Sequence, residues 1–154
     1  MLDLCDREGI LIIDEAPAVG LHSHFSATGM LDASGDHKGT WEYMKTADHH
    51  QDVIRDMVAR DKNHPCVILW SVANEPASEE EGAKEYFEPL LNLVRKEDPQ
   101  HRPATLVTYE GSSPEQCKVA ELCDVLGIHR YRALYDTGGK LPAPTAPLTR
   151  TLEP

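Results

Sequence analysis

Apolar residues along this chain fall into short unbroken runs separated by longer stretches in which they recur every three or four positions. The first pattern predicts strands and the second helices. The longest run, Cys66-Val67-Ile68-Leu69-Trp70-Ser71-Val72-Ala73, mixes β-branched and aromatic residues without period-two alternation. That pattern is expected of a strand covered on both faces, and Pro76 closes it. Ile10 to Ile13 is a shorter aliphatic run that ends in Asp14-Glu15 ahead of Pro17. Ala104 to Tyr109, holding Leu106-Val107-Thr108-Tyr109, predicts a third strand, and Asp124 to Ile128 a fourth.

Helical spacing fills the intervals. Met1 to Glu8 carries Leu2, Leu4 and Cys5 and ends at Gly9, a residue suited to a left-handed cap. Thr46 to Arg60 lines up Val53, Ile54, Met57 and Val58 as one stripe on a charged segment. Ser78-Glu79-Glu80-Glu81 has the spacing of a capping box, ahead of a helix whose buried face is Phe87, Leu90, Leu91 and Val94 and which Asp98-Pro99 ends. Ser113-Pro114-Glu115-Gln116 predicts a further helix start. Residues 21–45 carry Gly29, Gly35 and Gly39 and no sustained apolar period, a loop of the length that is functional or disordered. Beyond Gly138-Gly139 the tail, with Pro142, Pro144, Pro147 and Pro154, has no period and reads as disordered. Four strands alternating with helices argue for parallel βαβ units rather than a meander.

Charge and cysteine usage narrow the partners. The chain has 26 acidic and 15 basic residues, a formal charge of −11, which disfavours nucleic acid and anionic membrane surfaces. Cys5, Cys66, Cys117 and Cys123 show no CxxC spacing, so reduced, buried thiols are expected, in keeping with a cytoplasmic setting. No basic start with an apolar run, and no stretch near 18 apolar residues, points to a signal peptide or a membrane span.

At the tip of the longest strand stands Asn74-Glu75. Rings of parallel strands do their chemistry where strands end and loops begin, so Glu75 is a candidate acid and Asn74 its hydrogen-bonding neighbour. Taken alone, a glutamate there reads as a surface residue in a turn. Its flanks change the weighing. The stretch Ala59-Arg60-Asp61-Lys62-Asn63-His64-Pro65-Cys66-Val67-Ile68-Leu69-Trp70-Ser71-Val72-Ala73-Asn74-Glu75-Pro76 closely resembles the acid/base segment of β-glucuronidases, in the second family of glycoside hydrolases. Gly9 to Glu15 with Ala18-Val19-Gly20 is similar to the preceding barrel strand of that family, and Asp124 to Tyr131 to a later one.

The resemblance implies an α/β fold: a partial (β/α)₈ TIM barrel of about four parallel strands with intervening helices over residues 1–141, and a disordered Pro-rich tail over 142–154. A closed barrel typically takes about 250 residues, and this chain has 154. It further implies a retaining hydrolase of terminal β-D-glucuronosides, with Glu75 as general acid/base and Asn74 on the sugar 2-hydroxyl. Tyr131 would steady the nucleophile, and Tyr135 would lie toward the aglycone. The family run Asn-Arg-Tyr-Tyr stands here as His129-Arg130-Tyr131-Arg132, a departure at its first and fourth positions.

Nothing after Tyr135 resembles the Glu-Tyr-Gly strand end that carries the family's nucleophile, since Glu153 has no apolar strand before it. The Asn-x-Lys motif that holds the substrate carboxylate is also absent, so glucuronide as substrate follows from kinship. Two alternatives stay open: the same segment of a β-galactosidase, or a non-catalytic remnant that at most binds carbohydrate or a partner along its open edge. An open edge and apolar face predict poor solubility, and no turnover, for the chain alone. The change of composition after Lys140 suggests a truncated or frame-shifted coding sequence.

Full-length relatives are expected to be homo-oligomeric. No cofactor and no metal are expected. His49 and His50 are adjacent, which on a helix points them about 100° apart. These two, with His22 and His24, read as solvated. Asp14 and Glu15 are expected to support the barrel floor rather than react. Phe25, Met30, Leu31 and Trp41, in the 21–45 loop, could reach an aglycone.

Overall fold

Four strands, β1 (Ile12–Glu15), β2 (Val67–Asn74), β3 (Ala104–Thr108) and β4 (Gly127–Ile128), pair side by side in chain order, all parallel. In the computed structural model, which describes residues 1–22, 39–109 and 112–130, they form a curled half-barrel with helices against it. The helices are α1 (Leu2–Glu8), α2 (Thr40–Tyr43), α3 (Ala47–Asp61) and α4 (Ala83–Glu97), with a 3₁₀ turn at Ala120–Leu122.

The core lies where α3 and α4 cover the sheet. Ile54, Met57 and Val58 of α3 and Phe87, Leu90, Leu91 and Val94 of α4 pack with Trp70 and Val72 of β2 and Leu106 of β3, all buried. The helical stripes are therefore the faces expected from the sequence, because each is the only apolar side its segment can offer the sheet. The long run is β2, one residue shifted, but it is not covered throughout. Ile68 stays 43% exposed, as do Ile13 (57%) and Ile128 (40%), because four strands leave apolar positions open that a closed ring would bury.

Several boundaries differ from expectation. β1 starts two residues late and takes in Asp14 and Glu15. Gly9, left-handed at φ 72°, turns the chain out of α1, and Ile10 N–H still donates to Cys5 O at 3.0 Å, so pairing waits until Ile12 N–H meets Cys66 O at 2.8 Å. The capping box does not form. α4 begins at Ala83 with Gly82 as its cap residue at φ 89°, where a Cβ would lie 2.9 Å from Trp41 Cβ. Glu79 and Glu80 instead reach partners 30 or more positions away, described below. The segment at Ser113 makes no α-helix: its bonds run from Gln116 N–H to Ser113 O (3.0 Å) and Leu122 N–H to Val119 O (3.0 Å), single turns too short to propagate. Thr40–Tyr43 of the expected loop form α2.

All four cysteines are free, with Cys5, Cys66 and Cys117 buried. No described helix is long and apolar enough to cross a membrane. The 142–154 tail lies outside the described residues.

Candidate active site

Glu75 follows the last residue of β2 on a left-handed backbone, φ 48°. For a residue with a Cβ that conformation costs roughly 1–2 kcal/mol. It persists because the surroundings hold the chain on both sides: Glu75 N–H donates to Val107 O at 2.8 Å, Asn74 N–H to Ala18 O at 3.2 Å and Ala77 N–H to Leu21 O at 2.8 Å. Segments following β1 and β2 and the end of β3 are thus drawn together at one end of the sheet. The end of β4 joins them through His129, whose N–H donates to Thr108 O at 3.0 Å.

The Glu75 carboxylate points toward that last strand. Its Oε1 lies 2.7 Å from His129 Nδ1, with the two side chains 27% and 34% exposed. The carboxyl is therefore held by a neighbour yet reachable by a small molecule. Asn74 is half-buried beside it. Tyr131 and Tyr135 lie outside the described residues, as do His24, Phe25, Met30 and Leu31. Trp41 packs inward: its Nε1–H donates to Ala77 O at 2.9 Å and its ring meets Phe87 edge-on at 5.1 Å.

A second polar network ties the loops beside Glu75 to one another. His22, 2% exposed, sits 3.2 Å from Glu79 Oε1, and the Tyr109 hydroxyl donates to the same oxygen at 3.2 Å. The next residue, Glu80, receives the Thr40 N–H and hydroxyl at 2.6 and 3.0 Å and so fastens the start of α2. Burial opposes the charge on Glu79, but the hydrogen bonds outweigh it and hold that carboxyl below its ordinary value. Burial, with Glu79 alongside, raises the Tyr109 hydroxyl. Glu79 Oε2, Ser78 Oγ and Ser112 Oγ are buried with no partner among the described residues.

Two of the histidines expected to be solvated are not. His22 is buried in the network just described. His50, 5% exposed, has its Nε2 2.8 Å from Val72 O and its Nδ1 3.2 Å from the Tyr86 hydroxyl. The carbonyl fixes the proton on Nε2, and burial lowers the ring's proton affinity, so His50 is a neutral core residue. The periodicity of α3 places Ile54, Met57 and Val58 inward, and position 50 lies one turn before Ile54, a signal that was available in the sequence.

Toward the opposite end of the strands lie other acids. Asp6 accepts from Cys66 N–H at 2.8 Å and lies 2.6 Å from His64 Nδ1. Asp3, 95% exposed at its side chain, brings a third donor within 4.8 Å of those two. Asp14 lines an open recess of about 390 Å³ with Arg60 and Asp61. Burial and the Asp61 carboxylate push Asp14 up to about 6, while the Arg60 guanidinium holds Asp61 below the usual range. Glu15 accepts from the Ser71 hydroxyl at 2.7 Å across the β1–β2 pair.

Residues 1–152 match the family described as glycosyl hydrolases family 2, TIM barrel domain. Over 141 residues, 92% of this chain and 23% of the relative, the sequence is 49% identical to a β-glucuronidase of Streptococcus agalactiae serotype V. It is 35% identical over 143 residues to the human β-glucuronidase, of which it covers 19%. Among solved structures, the ligand-free β-glucuronidase of Ruminococcus gnavus superposes with a TM-score of 0.74 at 36% identity, covering 87% of this chain and 21% of that one. The same enzyme in complex with D-glucuronic acid gives 0.69, over 87% of this chain and 20% of that one. The chain spans about a fifth of the length of the curated relatives it matches.

Proposed function

The chain belongs to the TIM barrel domain family of glycosyl hydrolases family 2, and from that premise we propose that it is the acid/base segment of a retaining β-glucuronidase. The observation that carries this reading is the placement of Glu75: one residue beyond β2, on a strained backbone, with its carboxyl partly open where four strand ends meet. In this family of folds that end is the reactive one. Strain held in place by surrounding hydrogen bonds is characteristic of residues whose orientation matters to chemistry.

In the proposed reaction Glu75 gives its proton to the glycosidic oxygen as the bond to the sugar breaks, so the aglycone leaves as an alcohol and Glu75 becomes a carboxylate. It then takes a proton from the water that attacks the glycosyl-enzyme, which restores the acid. Asn74 beside it is proposed to hold the sugar 2-hydroxyl. The second carboxylate, about 5–5.5 Å from the first in retaining enzymes, would come from the part of the longer relatives that this chain does not span. Tyr131 and Tyr135 are proposed at the nucleophile and aglycone sides.

The test is a hybrid in which residues 1–141 replace the matching 141 residues of the Streptococcus agalactiae relative. The hybrid is expected to cleave 4-nitrophenyl β-D-glucuronide, and Glu75→Gln to reduce cleavage of an alkyl glucuronide by about 10²–10⁴-fold, the usual contribution of a general acid or base. A folded hybrid whose rate ignores that substitution would end the proposal.

A further inference from the structure

The contact between Glu75 and His129 is not one that the local sequence around either residue announces. The two residues are 54 positions apart and leave strands separated by β3, yet their atoms meet at 2.7 Å. Each is set by backbone on its own side, Glu75 by its bond to Val107 O and His129 by its bond to Thr108 O, so the pair does not depend on side-chain flexibility alone. Arg130 follows, and its guanidinium donates to the His129 carbonyl at 2.8 Å.

We propose that His129 is a positioning residue for Glu75, holding its carboxyl through Oε1 and so fixing the orientation in which the acid meets the leaving group. This rests on the acid/base reading of Glu75. An imidazole at that distance can donate Nδ1–H to a carboxylate or accept O–H from a carboxylic acid, so it stays bonded to Glu75 in both protonation states of the catalytic cycle. An asparagine, the residue that the resembled run carries at this position, can do the same only by turning its amide over. His129 thus fixes the rotamer of the acid without needing to touch the sugar.

Two measurements test this. In the hybrid, His129→Ala is expected to lower kcat/KM, which reports cleavage of the glycosidic bond, by about tenfold for an alkyl glucuronide, whose leaving group must be protonated, while changing it by less than about twofold for 4-nitrophenyl glucuronide, because a good leaving group needs little acid. His129→Asn, which keeps a donor, is expected to recover most of the loss. Equal losses in kcat/KM on both substrates, or no loss on the alkyl one, would overturn the proposal.

The second measurement needs no turnover and uses the 154-residue chain itself, with nitrogen-labelled histidine. In its neutral form the His129 ring is expected to carry its proton on Nδ1, and in Glu75→Ala to return toward the Nε2 form common in water. His50, whose Nε2–H is fixed by Val72 O, reports in the same spectrum that the fold is intact. If Glu75→Ala does not fold, labelled Glu75 in His129→Ala gives the complementary reading, a carboxyl carbon shift moving toward that of exposed Glu8. An unmoved ring signal, or an unmoved carboxyl shift, in a folded variant would overturn the pairing. A normal signature in the chain beside a hybrid that ignores Glu75→Gln would instead remove the acid/base reading and leave the pair standing.

Discussion

Both ends of the sheet hold a histidine against a carboxylate, and the two pairs are built differently. At the start of β2, His64 meets Asp6 at 2.6 Å, and the other Asp6 oxygen receives Cys66 N–H, so a single side chain ties α1 to the loop that leads into β2. Hydrogen bonds from Cys66 and His64 hold Asp6 at about 2, and burial, with Asp6 alongside, pushes the Cys66 thiol up to about 11. Neither Asp6 nor His64 is itself left-handed, although Gly9 (φ 72°) and His101 (φ 53°) at the same end are. At the far end the matching pair stands on a left-handed glutamate, at 2.7 Å from its histidine. The same chemistry serves structure where the backbone is relaxed. Where the backbone is strained, we assign it to reaction. In barrels of this kind stability resides at the end where strands start and catalysis where they finish.

The largest effect that would sharpen this contrast is on activity. Glu75→Gln in the hybrid should abolish most turnover while leaving the thermal midpoint within about 2 °C, since the amide keeps the shape of the side chain and surface changes of this sort stay within about 0.5 kcal/mol. A fall in the midpoint of several degrees would place Glu75 with the structural acids. The reverse pattern is expected of Asp98, which is fully buried and accepts from Trp70 Nε1–H at 2.9 Å, Arg102 N–H at 2.9 Å and Gln100 N–H at 3.2 Å. Removing it leaves the buried Arg102 charge and an indole donor unpaired, so Asp98→Ala should destabilise the chain by about 3–5 kcal/mol in urea unfolding. A loss below about 1 kcal/mol would mean that water replaces those bonds.

A smaller effect is expected from Asp14. Its folded-state value near 6 lies above the ordinary carboxyl value, so the folded chain binds more protons than the unfolded one between about pH 4 and 6. Stability should therefore fall as pH rises through that window, and the cost should be complete above it. The full shift corresponds to about 3 kcal/mol, and partial exposure reduces it to roughly 1 kcal/mol. Asp14→Asn should remove that dependence, read as the difference between variant and parent at pH 4 and pH 7.5. An identical pH profile would show that Asp14 is not strained by Asp61. The smallest effect concerns Asp6, and its sign is opposite. Its depressed value stabilises the fold above the ordinary carboxyl range, and that contribution should fade only as pH falls toward about 2. Asp6→Asn should accordingly lower the melting temperature at pH 7 and leave it unchanged at the acid limit.

What could be read in advance follows the range of the interactions concerned. The stripe Ile54, Met57, Val58 and the face Phe87, Leu90, Leu91, Val94 are buried as their spacing requires, and the eight-residue run is a strand within one residue of its expected ends. The capping box at Ser78 failed because its carboxylate, Glu81, accepts from Lys118 Nζ at 2.6 Å, 37 positions away, while Glu79 and Glu80 hold His22 and Thr40, 57 and 40 positions away. For the same reason His22 and His50, polar in composition, are buried in fact. A polar residue is counted as exposed until its partner is known, and the partner is not local.

The order of strands, the helical faces and the place of Glu75 just past a buried strand are properties of the chain as written. They depend on repeats of two and 3.6 residues and on where proline and glycine interrupt them. The meeting of Glu75 with His129, the seat of His22 against Glu79, and the crowding of Asp14 by Asp61 were decided only when the parallel strands curled. That curvature brings the ends of β2 and β4 within reach of two side chains across an intervening strand, and no spacing along the sequence encodes the distance.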